Sequence, residues 1–198
     1  MILMLRELRT ATLLLVALTV VTGGVYPAAV MLVARLAFPH AATGSLIDSN
    51  GGPVAAGTRP AGSDLVGQPF SSDGRFWGRP SATTPVPYSA TASGGSNLGP
   101  SNPALIEAVT SRIEALRAGG ATGAVPVDLV TASASGLDPH ISPAAAEFQV
   151  SRVARARSLS EEAVRTLVRE HTQPPQFGIL GEPRVHVLRL NLALDRLR

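Results

Sequence analysis

From Ala11 to Ala34 the chain places 24 residues in a row without a charge. A helix over such a run rises about 36 Å, enough to cross a hydrocarbon core of roughly 30 Å with some tilt. The pattern predicts a membrane span, and residues 10–37 are assigned to it. A cleaved secretory signal could also open with Arg6 and Arg9, but its apolar core is about 7 to 15 residues and ends at small residues suited to cleavage. Here the run continues past Gly23 and Gly24 through Val30, Met31, Leu32 and Val33, with no Ala-x-Ala close behind. Pro27 has no amide hydrogen for the Gly23 carbonyl, so a kink is expected there; Tyr26 beside it either faces a partner helix or polar headgroups or sits at a bend with no partner.

Beyond the span the pattern changes. Between residues 40 and 102 lie 11 of the 19 Gly and 7 of the 16 Pro, so this part can hold only short strands between turns. Ser45-Leu46-Ile47 and Asp64-Leu65-Val66 are predicted strands around a loop from Asn50 to Gly62. Asp73-Gly74 reads as a hairpin turn leading into Arg75-Phe76-Trp77-Gly78-Arg79-Pro80. In a strand Phe76 and Trp77 would face opposite sides, so another layer or a partner must cover one of them. Trp77 among arginines fits an interface hot spot and fits equally a core tryptophan between two solvated arginines.

The run Ser93 to Pro103 is too poor in large side chains to enter a core. It reads as a tight connector, with backbone amides able to cradle an anion as the alternative. Asn102 then caps a helix that has Pro103 at its first position, Leu105, Val109, Ile113 and Leu116 on one stripe, and Gly119-Gly120 at its end. Val125 to Thr131 alternates as a strand. Ser142 and Pro143 start a helix to about Arg157, and Ser158 with Glu161 forms a capping box for the next, ending near His171. From Val185 to Asp195, leucines at 188, 190, 192 and 194 recur at period two, a strand signal that competes with a helical reading of the same leucines. The fold class expected is α+β: one N-terminal transmembrane helix followed by a single mixed α/β soluble domain.

Composition narrows the function. The sequence pI is about 10.5, yet residues 37–198 carry 14 Arg against 13 acids, a balance of +1, so there is no basic footprint for nucleic acid. All 17 basic residues are Arg. Without lysine the chain has no Gly-Lys-Ser/Thr phosphate loop, no Schiff-base lysine and no Asp-Lys-Thr-Gly phosphorylation sequence, so if it meets ATP it does not hydrolyse it. Arg6, Arg9 and the amino terminus outweigh Arg35 on the other flank, which favours a cytoplasmic N-terminus at 1–9 and an extracytoplasmic soluble domain at 38–198. The absence of Cys is compatible with either compartment.

Candidate chemistry concentrates at Ser133, Ser135, Asp138 and His140, the residue types of a nucleophile, acid and base within eight positions. Triads are assembled from separate parts of a fold and no Gly-x-Ser-x-Gly elbow occurs, so Asp138 and His140 are expected to brace a turn through backbone hydrogen bonds. His40, His171 and His186 have no zinc spacing. Arg152, Arg155 and Arg157 cannot share one helix face and read as solvated surface.

Several stretches together resemble the C subunit of the Kdp-type potassium-transporting ATPase: Tyr26-Pro27 within the span, Gly44-Ser45-Leu46-Ile47, Gly78-Arg79-Pro80-Ser81, Gly95 to Pro103, Ser135 to Ser142, and Gly181-Glu182-Pro183-Arg184-Val185 running into Leu190-Asn191-Leu192-Ala193-Leu194-Asp195. They keep that family's order over nearly the whole chain. His186 stands where the family has Asn, and Ser49 to Gly62 matches loosely.

The resemblance implies a non-catalytic accessory subunit of an ATP-driven potassium uptake pump, working with a potassium-channel-like subunit, a P-type ATP-hydrolysing subunit and a small stabilising subunit in a bacterial cytoplasmic membrane. It also implies a catalytic chaperone that raises the ATP affinity of the hydrolysing subunit. Direct contact with ATP conflicts with an extracytoplasmic domain, so no cofactor is assigned to this chain, with ATP possible through the hydrolysing subunit. The candidate structural or interface residues are Tyr26, Pro27, Trp77, Arg79, Asn97, Asn102, Asp138, His140, Glu182 and Asn191, with no catalytic or metal residue. The alternative class is a membrane-anchored extracytoplasmic hydrolase or binding protein.

Overall fold

The computed structural model describes residues 2–55, 57–120 and 122–197, in two units, Met1–Ser45 and Leu46–Arg198. The expected loop from Asn50 to Gly62 contains Ala56, which lies outside the described residues.

In the first unit α1 (Ile2–Val20), a π-helical turn (Val21–Val25) and α2 (Tyr26–Ala37) succeed one another, and Val25 and Tyr26 both keep helical dihedrals. Met4–Ala37 is thus a helix of 34 residues, apolar and long enough to cross a membrane, with its apolar window exposed. Just before Pro27, where a kink is expected, the helix carries the π turn, in which the Tyr26 N–H donates to the Val21 carbonyl five residues back. Proline then falls in the first turn of α2, where a missing N–H is tolerated. The short α3 (Pro39–Ala42) follows, and Thr43 Oγ1 donates to the Pro39 carbonyl at 2.9 Å.

The second unit begins with an antiparallel pair, β1 (Leu46–Ile47) on β2 (Gly62–Ser63), in the register Leu46↔Ser63 and Ile47↔Gly62. The second strand therefore lies earlier than the expected Asp64-Leu65-Val66. Ser63 Oγ accepts the Leu65 N–H at 3.1 Å and turns the chain there, leaving Val66 one isolated bridge to Ser63. Asp73-Gly74 forms a turn but not the expected hairpin, because Arg75 to Pro80 is no strand. Its backbone groups are taken by side chains, as described below.

α4 (Pro103–Ala118) starts where predicted, Asn102 Oδ1 accepting the Ala104 N–H at 2.9 Å, and ends at Gly119 and Gly120. Val125 to Thr131 is not a strand; it holds a 3₁₀ turn at Val127–Leu129 that buries Leu129 and Val130 and leaves Val127 69% exposed. The turn aims Asp128 at Ser142, whose N–H it accepts at 2.7 Å, so a polar tether displaced the alternating pattern.

β3 (His140–Ile141), α5 (Pro143–Arg157), α6 (Glu161–Glu170), β4 (Thr172–Gln173), β5 (Arg184–His186) and α7 (Val187–Leu194) complete the unit. The strands form a small antiparallel sheet in the order β3-β5-β4, with His140↔His186, Ile141↔Val185 and Thr172↔Val185 as partners. The fully buried residues of the unit include Phe76, Val150, Val153, Val164, Val185, Leu190 and Leu194, each aliphatic side chain contributing roughly 1.5–3 kcal/mol by leaving water.

Two expectations fail here for local reasons. Ser158 does not cap α6: it closes α5 in the left-handed region at φ 55°, while Ser160 accepts the Ala163 N–H and is the true cap. Both serines precede the same acidic turn, and only the space needed to end α5 separates their roles. The strand expected from Val185 is a strand only to His186, where the chain becomes α7. Val187, Leu190, Asn191 and Leu194 form the buried i, i+3, i+4, i+7 stripe, and the period-two leucines coincide with it only in part.

Candidate functional site

The chemistry gathers along the extended segment from Arg75 to Ser81, which α5 and α7 hold by side chains. Asn191 on α7 is wholly buried; its Oδ1 accepts the Phe76 N–H at 2.8 Å and its Nδ2 donates to the Phe76 carbonyl at 2.9 Å. Gln149 on α5 does the same to the next residue, accepting the Trp77 N–H at 2.8 Å and donating to its carbonyl at 3.2 Å. Successive residues of an extended chain point their amides to opposite sides, so the two carboxamides replace two missing neighbouring strands.

Arg152 completes this side. Its guanidinium lies 3.9 Å from the centroid of the Trp77 ring, donates to Gln149 Oε1 at 2.7 Å and to the Asp73 carbonyl at 2.6 Å, and burial pushes it down to about 10. Arg157 donates to the Gly74 carbonyl and to Asp195, so neither arginine belongs to the solvated surface expected of them; Arg155 is exposed.

Further along, Arg79 enters an open cavity of about 550 Å³ together with Asp138, His140, Glu182 and Arg184. Arg79 Nη1 lies 3.3 Å from Asp138 Oδ2, and the Tyr88 hydroxyl donates to the Arg79 carbonyl. Burial and the Asp138 charge push the Tyr88 hydroxyl up to about 12. Asp138 Oδ1 accepts the His140 N–H at 2.9 Å and lies 3.4 Å from His140 Nδ1. Burial by itself would raise the Asp138 carboxyl, but the His140 hydrogen bonds and the His140 and Arg79 charges outweigh it and hold the group below its ordinary range. Glu182 is exposed at the rim. Opposite, Asp128 accepts the Ser142 N–H and hydroxyl at the start of α5, where a carboxylate also complements the helix dipole.

Behind this cavity His140 meets His186 edge to face, with ring centroids 5.0 Å apart. His186 Nε2 donates to the Asp64 carbonyl at 3.0 Å and its Nδ1 accepts the Arg189 N–H at 3.3 Å, which makes it the cap of α7 and sets its neutral tautomer. Asparagine, expected at this position from the family, can accept the same N–H. Arg189 also holds the Asp64 carboxylate with both Nε and Nη2.

Of the sequence candidates, the structure brings Arg79, Asp138, His140 and Glu182 to one cavity, and Trp77 and Asn191 to the clamp beside it. Asn102 caps α4, Asn97 lies exposed in the loop at φ 52°, and Tyr26 and Pro27 belong to the first unit. Gln149, Arg152, Asp64, Asp128 and Arg189 carry as much of the arrangement but have no motif; the one available signal was Gln149 and Arg152 standing three apart on a helix rich in alanine and valine.

The arrangement is not a hydrolytic triad. Ser135 Oγ accepts the Leu137 N–H, Ser133 is buried with its N–H on the Pro80 carbonyl, and among the described residues neither hydroxyl bonds His140. The loop from Ser93 packs on this turn as a connector, the Gly94 N–H donating to the Ser135 carbonyl at 2.9 Å. Among the described residues no group of three His, Cys, Asp or Glu could hold a metal ion.

Comparison with known proteins gives one consistent answer. The family model described as "K+-transporting ATPase, c chain" matches residues 8–196. A potassium-transporting ATPase KdpC subunit of Polaromonas naphthalenivorans is 61% identical over 193 residues, 96% of this chain and 95% of that protein. The KdpC subunits of Sorangium cellulosum and Methylococcus capsulatus are 59% and 55% identical, each over 197 residues, 98% of this chain and 100% of theirs. The chain therefore belongs to the KdpC family, the C subunits of the potassium-transporting ATPase, and is an accessory subunit of a Kdp pump.

Proposed function

We propose that this chain is a non-catalytic subunit anchored by a single span, N-terminus in the cytoplasm, whose outer domain stabilises the pump and covers the potassium entrance. Its partners are the channel-like, the ATP-hydrolysing and the small subunits. The observation that carries this reading is that the Asp138 and Ser135 side chains are spent on backbone N–H groups of their own turn, while the His140 imidazole faces Asp138 and His186 rather than a serine. The lack of lysine and the bias of Arg6 and Arg9 support it. Any effect on ATP affinity is then indirect, a coupling free energy carried by subunit packing.

Reconstitution tests it. A pump assembled without this chain should lose potassium-stimulated ATPase activity, and the purified chain should hydrolyse nothing. Hydrolysis by the purified chain that disappears in Ser135→Ala would establish the enzymatic alternative instead. Because the sequence has no Cys, Ser72→Cys gives a single label site on the domain. Reaction with an impermeant maleimide in intact cells supports the orientation; reaction only after lysis reverses it.

A further inference from the structure

The π turn at Val21–Val25 leaves the middle of the long helix short of hydrogen-bond donors. In a regular α-helix the Thr22 carbonyl is served by the N–H of residue 26 and the Gly23 carbonyl by that of residue 27. Here the Tyr26 N–H goes to Val21, and residue 27 is proline, which has no N–H. Two adjacent carbonyls thus lose their ordinary donors. The Thr22 hydroxyl supplies neither, since it donates to the Leu18 carbonyl at 2.7 Å. Gly23 and Gly24 follow, and a Cβ placed on either meets nothing within 4 Å, so the backbone is open to close approach.

In hydrocarbon no water can serve these acceptors, and non-helical hydrogen bonding is tolerated there only where protein or a wet cavity supplies the missing partner. Resting on the reading of this helix as a membrane span, we propose that the bulge at Thr22 to Gly24 is a docking site for a hydrogen-bond donor on a transmembrane helix of another pump subunit. A Ser, Thr, Asn, Gln or Trp side chain fits the need, and the two glycines let its helix come close. A second copy of this span fits poorly, because the bulge would offer acceptor to acceptor with its one hydroxyl already committed.

The test uses the assembled pump in native membranes. Gly24→Cys, carrying a benzophenone maleimide, is expected on illumination to cross-link to another pump subunit; adducts only to lipid or only to a second copy overturn the proposal. Gly23→Leu, which fills the opening, should cut the amount of the other subunits co-purifying with the tagged chain about tenfold. Pro27→Ala, which restores a donor for the Gly23 carbonyl, should lower it several-fold. Leu14→Ala, elsewhere in the span, should not change it. Wild-type recovery with both Gly23→Leu and Pro27→Ala also overturns the proposal. Alkaline carbonate separates the two ways of failing: a chain washed out of the membrane refutes the span itself, whereas a retained chain without cross-links refutes only the docking site.

Discussion

Asn191 holds Phe76 by both of its backbone groups, one carboxamide spanning 2.8 Å to the N–H and 2.9 Å to the carbonyl across 115 residues of sequence. With Gln149 gripping Trp77 from the other side, the segment from Arg75 to Pro80 is held in the core without belonging to a sheet.

Asn191→Ala removes the partner of two buried backbone groups at once. Unsatisfied groups of this kind cost about 1–3 kcal/mol each, so the variant should lose about 3 kcal/mol of stability. Urea unfolding followed through the fluorescence of Trp77, the single tryptophan, measures it. Asn191→Asp should be no better, since it keeps the acceptor but loses the donor and buries a charge.

Arg152 joins Trp77 to the turn at Ser72 and Asp73 through its planar fork. Arg152→Lys retains the charge but neither the stack nor the divergent donors, and should lose about 2 kcal/mol. The Trp77 emission of the folded protein should move to the red, because the ring loses its cover.

Burial is the main reason that the His186 imidazole sits below its ordinary value of 6.5; the Asp64 carbonyl and charge oppose this, while His140 and Arg189 add to it. With the folded value below the unfolded one, the unfolded chain binds more protons between the two. Stability should be level above about pH 6.5 and fall as pH drops below it. His186→Asn keeps a cap for α7 and should remove this acid loss. Asp138 acts in a lower window: its folded value lies beneath 3.8, so its contribution is present above that and is lost as pH falls further. Unfolding curves across pH 4–8 on both proteins decide the His186 effect, and their extension below pH 3.8 decides that of Asp138.

The two serines near the start of α6 should respond in opposite directions. Ser160→Ala deletes the cap of the Ala163 N–H and should cost about 1 kcal/mol. Ser158→Gly relieves a side chain held at φ 55° and should be neutral or stabilising by a few tenths of a kcal/mol. A loss at Ser158 and none at Ser160 would restore the capping box first read from the sequence.

The sequence by itself determined whatever is decided by neighbours along the chain. The helix from Met4 to Ala37 follows from an unbroken apolar run, and α4 and α5 begin where Asn102-Pro103 and Ser142-Pro143 say they must, because a cap and a proline act within one turn. The tertiary structure decided the elements whose signal was ambiguous in one dimension. Leucines at 188, 190, 192 and 194 serve a strand or a helix; α7 wins because helical spacing puts Asn191 beside Phe76, where its carboxamide has work only once that backbone arrives. Asp128, Gln149 and Arg152 look like surface residues in sequence. Each is polar, and each is buried or half-buried at no net loss only because a distant segment supplies its hydrogen bonds.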